Sequence, residues 1–198
     1  ESSMKIFFSM ILVLLTCVSM ANTENPRVSN ETVRDSSKTL IVYFSYSHGN
    51  TKSIAEKLQK VLGADIVRLE PVTPYSHDYK KVEKQGQEEV EQQFKPKLKA
   101  LGLNLKNYDR IIIGTPTWWY KMAPVVLSFM SSADFDGKKV IPFSTHAGWP
   151  GSVIKDMTEL AENKGATVEN GHAFLFTGGD DGQSSACLLY TSDAADEL

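Results

Sequence analysis

The chain has 198 residues, 41% of them hydrophobic and 23% charged, enough apolar material for about one ordinary domain and too much for a disordered chain. With 21 basic against 24 acidic residues, a formal charge of −3, it lacks the cationic excess that phosphodiester binding demands, so nucleic acid is not an expected partner. Two cysteines, Cys17 and Cys187, are too few for a disulfide framework or a zinc site.

From Met4 the chain has one basic residue, Lys5, an apolar run over 6–18, and Ser19-Met20-Ala21 ahead of a polar stretch. That is the layout of a secretory signal peptide with cleavage near Ala21, and Glu1, Ser2 and Ser3 read as translation ahead of the natural start. The run is shorter than the roughly 20 residues needed to cross a bilayer, so no stable membrane span is expected. The expected location is outside the cytoplasm, in the periplasm. The alternative is a lipoprotein anchored by acylation at Cys17, after Leu14-Leu15-Thr16. Residues 22–38 are polar and aperiodic and read as a flexible linker.

Folding is expected to begin at 39–44 (TLIVYF), an almost unbroken apolar run of the kind buried on both faces of a parallel sheet. A helix follows over 50–62, with Ile54, Ala55, Leu58, Val61 and Leu62 at helical spacing, Glu56 and Lys60 as an i,i+4 pair, and Gly63 as terminator. Residues 65–70 alternate as a second strand. The charged stretch 75–99, interrupted by Gly86 and Pro96, reads as a solvated helical crossover. A third strand is expected at 110–114, a helix at 124–131, a fourth strand at 139–144, an amphipathic helix at 152–163 and a fifth strand at 172–176. Pro142 is a blemish in the fourth strand, because a central strand needs that N–H. This alternation gives an α/β fold: a doubly wound, five-stranded parallel sheet. A closing helix is expected after Gly179. The last twelve residues, 187–198 (CLLYTSDAADEL), instead resemble the translation of a sequencing-adapter end, which leaves 39–186 as a domain without its final helix. Removing 1–21 and 187–198 takes away one basic residue (Lys5) and four acidic ones (Glu1, Asp193, Asp196, Glu197), so the remainder is electrically neutral.

Ligands of such sheets bind beyond the carboxyl ends of the strands, where the strand order reverses. Three segments lie there. The first, Ser45, Tyr46, Ser47, His48, Gly49, Asn50 and Thr51, offers hydroxyls, an amide and backbone N–H groups at a helix N-terminus, without Lys or Arg. Such a turn suits a phosphate monoester, although the same residues could simply cap a helix. It contains neither a P-loop nor a G-x-G-x-x-G fingerprint. The second, Gly114 and Thr115 followed by Pro116, Thr117, Trp118, Trp119 and Tyr120, places three adjacent large aromatics in a loop. They either stack on something flat or pack against the crossover helix. The third, Ser144 with Thr145, His146, Ala147 and Gly148, then Trp149-Pro150-Gly151, is rich in small residues that a ligand can approach closely.

In order, these motifs, S-x-S-x-x-N-T at 45–51, P-x-W-W at 116–119 and T-H-x-G at 145–148, resemble the loops of a bacterial branch of the flavodoxin family, over about 39–179. The resemblance implies the sheet order 2-1-3-4-5 with flavin mononucleotide (FMN) at the switch point. It implies that Ser45, Ser47, Asn50 and Thr51, with the 46–51 amides, hold the FMN phosphate. Residues 116–120 would line the isoalloxazine, with Trp118 or Trp119 stacked on it, and 145–148 would reach its pyrimidine edge. Tyr120 stands where this branch often has Gly. The implied function is electron transfer to a redox partner protein or a small-molecule acceptor, with no catalytic acid or base and no metal. The alternatives are an NAD(P)H-dependent FMN or quinone reductase, with His146 or Tyr120 assisting, and a non-redox flavin-binding protein.

Overall fold

In a computed structural model of the protein, residues 38–177 and 185–186 are described. The signal-like segment 1–21, nearly all of the linker and the tail 187–198 lie outside the described residues. Five strands, β1 (Thr39–Tyr43), β2 (Asp65–Arg68), β3 (Arg110–Trp118), β5 (Lys139–His146) and β7 (His172–Thr177), form a parallel sheet in the order β2-β1-β3-β5-β7. This is the expected 2-1-3-4-5 arrangement. Short strands β4 (Lys121–Met122) and β6 (Thr167–Val168) pair with β3 and β5.

Apolar runs make these strands because both faces of the sheet are covered. Leu40, Val42, Ile111, Ile113 and Val140 face α3 (Pro124–Ser132) and α4 (Val153–Glu162). Ile41, Tyr43, Ile112, Ile141 and Phe143 face the opposite way, with Ile54 and Ala55 of α1 (Asn50–Leu62). Burying one such aliphatic side chain contributes about 1.5–3 kcal/mol. In α1, Glu56 reaches back to Lys52 (3.6 Å) and not forward to Lys60.

Three expectations need correction. The crossover helix α2 is confined to Tyr79–Glu91. Gly86 lies inside it, because the helix passes so close to Trp118 that a Cβ at 86 would sit 3.0 Å from the indole. The third and fourth strands run on to Trp118 and His146, so Pro116, Thr117, Trp118, Thr145 and His146 are strand residues and only Trp119 and Tyr120 form a turn. Pro142 does sit in a central strand, opposite a break in its neighbour. The Val140 carbonyl accepts from Glu169 N, so by alternation Pro142 faces that same side, where β6 has ended and β7 has not begun. Of the residues after β7 only β8 (Ser185–Ala186) is described, and it pairs antiparallel with the Phe176–Thr177 end of β7; the stretch where a closing helix would follow lies outside the described residues.

Two glycines with positive φ separate backbone preference from packing. At Gly63 (φ +62), the C-cap of α1, an added Cβ would meet open space, and Gly63→Ala is expected to cost about 1 kcal/mol. At Gly151 (φ +60) the Cβ would collide with the Tyr120 backbone carbonyl, so Gly151→Ala should cost ~3 kcal/mol or more. Urea unfolding of the two variants checks the contrast, and equal losses would show that the 119–120 turn yields freely.

Candidate functional site

A cleft of about 340 Å³ opens across the carboxyl ends of β1, β3 and β5. One wall is the loop from β1 into α1. Gly49, in the left-handed region (φ 74), turns the chain into the helix, and Ser53 N donates to its carbonyl (2.9 Å). No side chain caps the α1 N-terminus and its first turn holds no acidic residue, so the helix dipole faces the cleft uncompensated. Ser47 also has a left-handed backbone (φ 46), a conformation that costs a non-glycine residue about 1–2 kcal/mol and is held by the surrounding loop.

The Thr51 and Thr145 hydroxyls are 2.8 Å apart and buried, joining the first turn of α1 to the end of β5 beneath the cleft. One proton serves that bond, and the second hydroxyl proton is available to a ligand. The Thr117 Oγ1, in the same walls, is enclosed and has no hydrogen-bond partner. An uncapped helix N-terminus, a hydroxyl pair with a spare proton and an orphaned hydroxyl are the unsatisfied groups that a phosphorylated polar ligand would complete.

The three aromatics do three different things. Trp118 is the centre of a ring cluster, edge-on to Phe44 (5.8 Å), Tyr46 (5.8 Å) and Tyr75 (5.1 Å), with its other side against Gly86. Trp119 (φ 47) is 42% exposed and its indole N–H donates to the Glu83 carbonyl of α2 (3.1 Å). Tyr120 (φ 64) is 55% exposed and is not among the cleft walls. Positive φ at both turn residues is the hand that matches a two-residue hairpin, and Trp118 pairs with Lys121 across it. Asn and Gly usually occupy such positions. Here the Tyr120 carbonyl is held by Ser152 N (3.0 Å), and Lys121 is tied to Ser152 and Asp156.

Two tyrosines in the cluster use their hydroxyls internally. Tyr75 donates to Glu89 (2.5 Å), and burial together with that carboxylate raises its hydroxyl far above the ordinary tyrosine range. Tyr46 donates to the Ser76 carbonyl (2.7 Å), and its pKa is raised by burial and by nearby Asp78.

His146 Nδ1 accepts from Gly148 N (3.2 Å), which puts the ring proton on Nε2. Burial lowers its pKa below 6.5, while a hydrogen bond with the Ala173 backbone works the other way. Because the folded pKa lies below the unfolded one, the unfolded chain takes up the proton first as pH falls. The His146 contribution is fully present above pH 6.5 and is lost as pH drops from there toward the folded value. Unfolding free energies measured between pH 7 and pH 5 should therefore fall less in His146→Gln than in the parent, and parallel slopes would contradict this.

Twelve of the sequence candidates line the cleft: Tyr46, Ser47, His48, Asn50, Thr51, Pro116, Thr117, Trp118, Trp119, Thr145, His146 and Ala147. Ser45, Gly49, Tyr120 and Gly148 do not. Sequence reasoning missed the fourth wall, supplied by Tyr79, Val82, Glu83 and Gly86 of α2. The signal was Gly86 itself, a glycine one turn beyond Val82 in a charged helix. No Lys or Arg lines the cleft. Among the described residues no group of three or more His, Cys, Asp or Glu is placed to hold a metal ion.

An open parallel sheet whose cleft at the reversal of strand order pairs a helix N-terminus with aromatic walls defines a binding protein of the doubly wound α/β class. The chain belongs to the flavodoxin family, whose model matches residues 38–173. Flavodoxin 1 of Escherichia coli K12 is 26% identical over 136 residues, 64% of this chain and 63% of that protein. Flavodoxin 1 of Shigella flexneri is 26% identical over 137 residues, 65% and 64% of the two chains. The match thus spans just under two thirds of these relatives. A Lactobacillus acidophilus flavoprotein solved in complex with FMN superposes with a TM-score of 0.60 at 25% identity, over 69% of this chain and 93% of that one.

Proposed function

We propose that the protein is an FMN-binding electron carrier. The observation that carries this is the cleft itself: the uncapped α1 N-terminus and the Thr51–Thr145 hydroxyl pair at one end, and the Trp119 indole with the end of β5 at the other. FMN supplies one- and two-electron chemistry that side chains lack. Ser47, Asn50 and Thr51 would hold its phosphate, and Thr145, His146 and Ala147 would border the ring. Trp119 would cover the ring while Trp118 braces the wall behind. The family match and the FMN complex of the Lactobacillus flavoprotein support this reading.

A carrier is favoured over a reductase because, of the two residues that could assist one, Tyr120 is not among the cleft walls and the His146 Nδ1 is occupied by the Gly148 N–H. The test is reconstitution with FMN followed by stepwise reduction, alongside steady-state NAD(P)H oxidation with a quinone. Reversible reduction with negligible NAD(P)H turnover is expected. Sustained turnover would assign a reductase, and no flavin uptake would end the reading.

We further infer that the protein works outside the cytoplasm, on the strength of the 6–18 apolar run and Ser19-Met20-Ala21. Its redox partner would then be met there. Among the described residues no helix is long and apolar enough to cross a membrane. Mass spectrometry of the protein from its host should find a mature form beginning near Asn22. Acyl mass on Cys17 would instead mark the lipoprotein.

A further inference from the structure

A second cleft, of about 610 Å³, lies on the opposite side of the 45–51 loop, at the end of β2. Tyr46 and Ser47 belong to the walls of both clefts, but the chemistry of the two differs. The first holds no Lys or Arg, whereas the second is bordered by Lys52, Arg68 and Lys99, with Glu70 as its acid, in a chain of formal charge −3. Lys99 is neutralised by Glu70 at 2.8 Å. Lys52 meets Glu56 only loosely and in the open, at 3.6 Å, a contact worth little in water.

Arg68 is different. One of its guanidinium N–H groups donates to the Ser45 carbonyl (2.9 Å), and among the described residues no carboxylate lies within ion-pair distance of it, Glu70 acting on it only at longer range. That bond aims a planar fork and leaves most of its donors unused. Ser45, which also lines this cleft, is 3% exposed and its Oγ has no hydrogen-bond partner. Behind the cations the floor is apolar, made by exposed Pro74 and half-buried Tyr75 and backed by the buried Leu69 and Pro71. A concave apolar floor with a few convergent polar groups, in this range of volume, is the form of a small-molecule site.

We propose that this second cleft binds a small organic anion, with a phosphate or carboxylate head on Arg68 and Lys52 and an apolar body along Pro74 and the half-buried Tyr75 ring. A planar guanidinium recognises both head groups by paired N–H donation, and the aliphatic and aromatic floor selects against bare inorganic ions. The groups that would bind the anion, Arg68, Lys52, Pro74 and Tyr75, lie outside the proposed flavin wall, and only Tyr46 and Ser47 are shared with it.

The test is an NMR titration of the full chain, saturated with FMN so that the first cleft is filled, using phenyl phosphate, benzoate and inorganic phosphate as probes. Saturable shifts are expected at the Lys52, Arg68 and Leu69 amides for at least one organic probe, which also identifies the preferred head. Inorganic phosphate should bind several-fold more weakly than phenyl phosphate. Arg68→Gln should weaken the organic probe about tenfold or more, the scale of one charge-assisted hydrogen bond, and Lys52→Gln should act in the same direction. Lys52→Gln decides the matter if the loss of the Arg68–Ser45 bond unsettles the loop. The proposal is overturned if no probe saturates, if both variants bind like the parent, or if the shifts track release of flavin from the first cleft. Should the chain take up no flavin at all, the same shifts can be read on the free protein, so failure of the flavin reading and failure of this one are separate results.

Discussion

Trp118→Ala is expected to destabilise the protein by about 3 kcal/mol, while Trp119→Ala, one residue along, should change stability by less than ~1 kcal/mol. Trp118 is half-buried among Phe44, Tyr46 and Tyr75 and fills the notch that Gly86 leaves in α2, so its removal leaves four neighbours without a packing partner. Trp119 is 42% exposed and holds only the Glu83 carbonyl. The expectation for ligand binding runs the other way. Trp119→Ala should weaken FMN and shift the flavin spectrum while leaving the urea midpoint nearly unchanged. Urea unfolding without ligand and a flavin titration with it separate the two roles. If Trp119 proved the more destabilising loss, the ring cluster would not be the brace that its geometry describes.

The second large effect concerns the phosphate. Riboflavin, which has the ring without the phosphate, should bind on the order of a hundredfold more weakly than FMN. Two hydrogen bonds to a charged group at ~1.5 kcal/mol each already account for that ratio. Thr51→Ala should cost about 1–3 kcal/mol of FMN affinity and almost none of riboflavin affinity. Because Thr51 and Thr145 share one hydrogen bond, Thr145→Val should weaken FMN as well, by removing the partner that orients the Thr51 hydroxyl. Raising the salt concentration should matter little, since oriented dipoles and hydroxyls line this cleft and no cationic side chain does. Fluorescence titrations with the two flavins test all of this, and equal affinity for both would remove the phosphate from the 45–51 loop.

The elements that could be read from the chain alone are those whose pattern reports burial. The runs at 39–44 and 110–113 announce strands covered on both faces, and the 3.6-residue spacing after Asn50 announces a helix. Strands alternating with helices then leave few topologies, which is why the order of the five strands and the convergence of three segments at one end of the sheet could be anticipated. Helix termination was legible too: Gly63, read as the terminator, sits where left-handed backbone is needed.

What the sequence by itself determined, then, was the sheet, its winding and the residues gathered at its reversal point. Only the tertiary structure decided what each of those residues does. Period and propensity say that a side chain is buried and are silent on its neighbour, so Trp118 and Trp119 look alike in sequence and differ entirely once α2 is laid beside β3. The same holds for Thr51 and Thr145, separated by 94 positions and joined by one hydrogen bond. It holds for Pro142, harmless because a neighbouring strand breaks opposite it, and for Arg68, which β2 delivers to a loop whose own sequence contains no cation. Contacts of this kind are made by parallel pairing and crossover, which bring together segments far apart in the chain, and no local pattern records them.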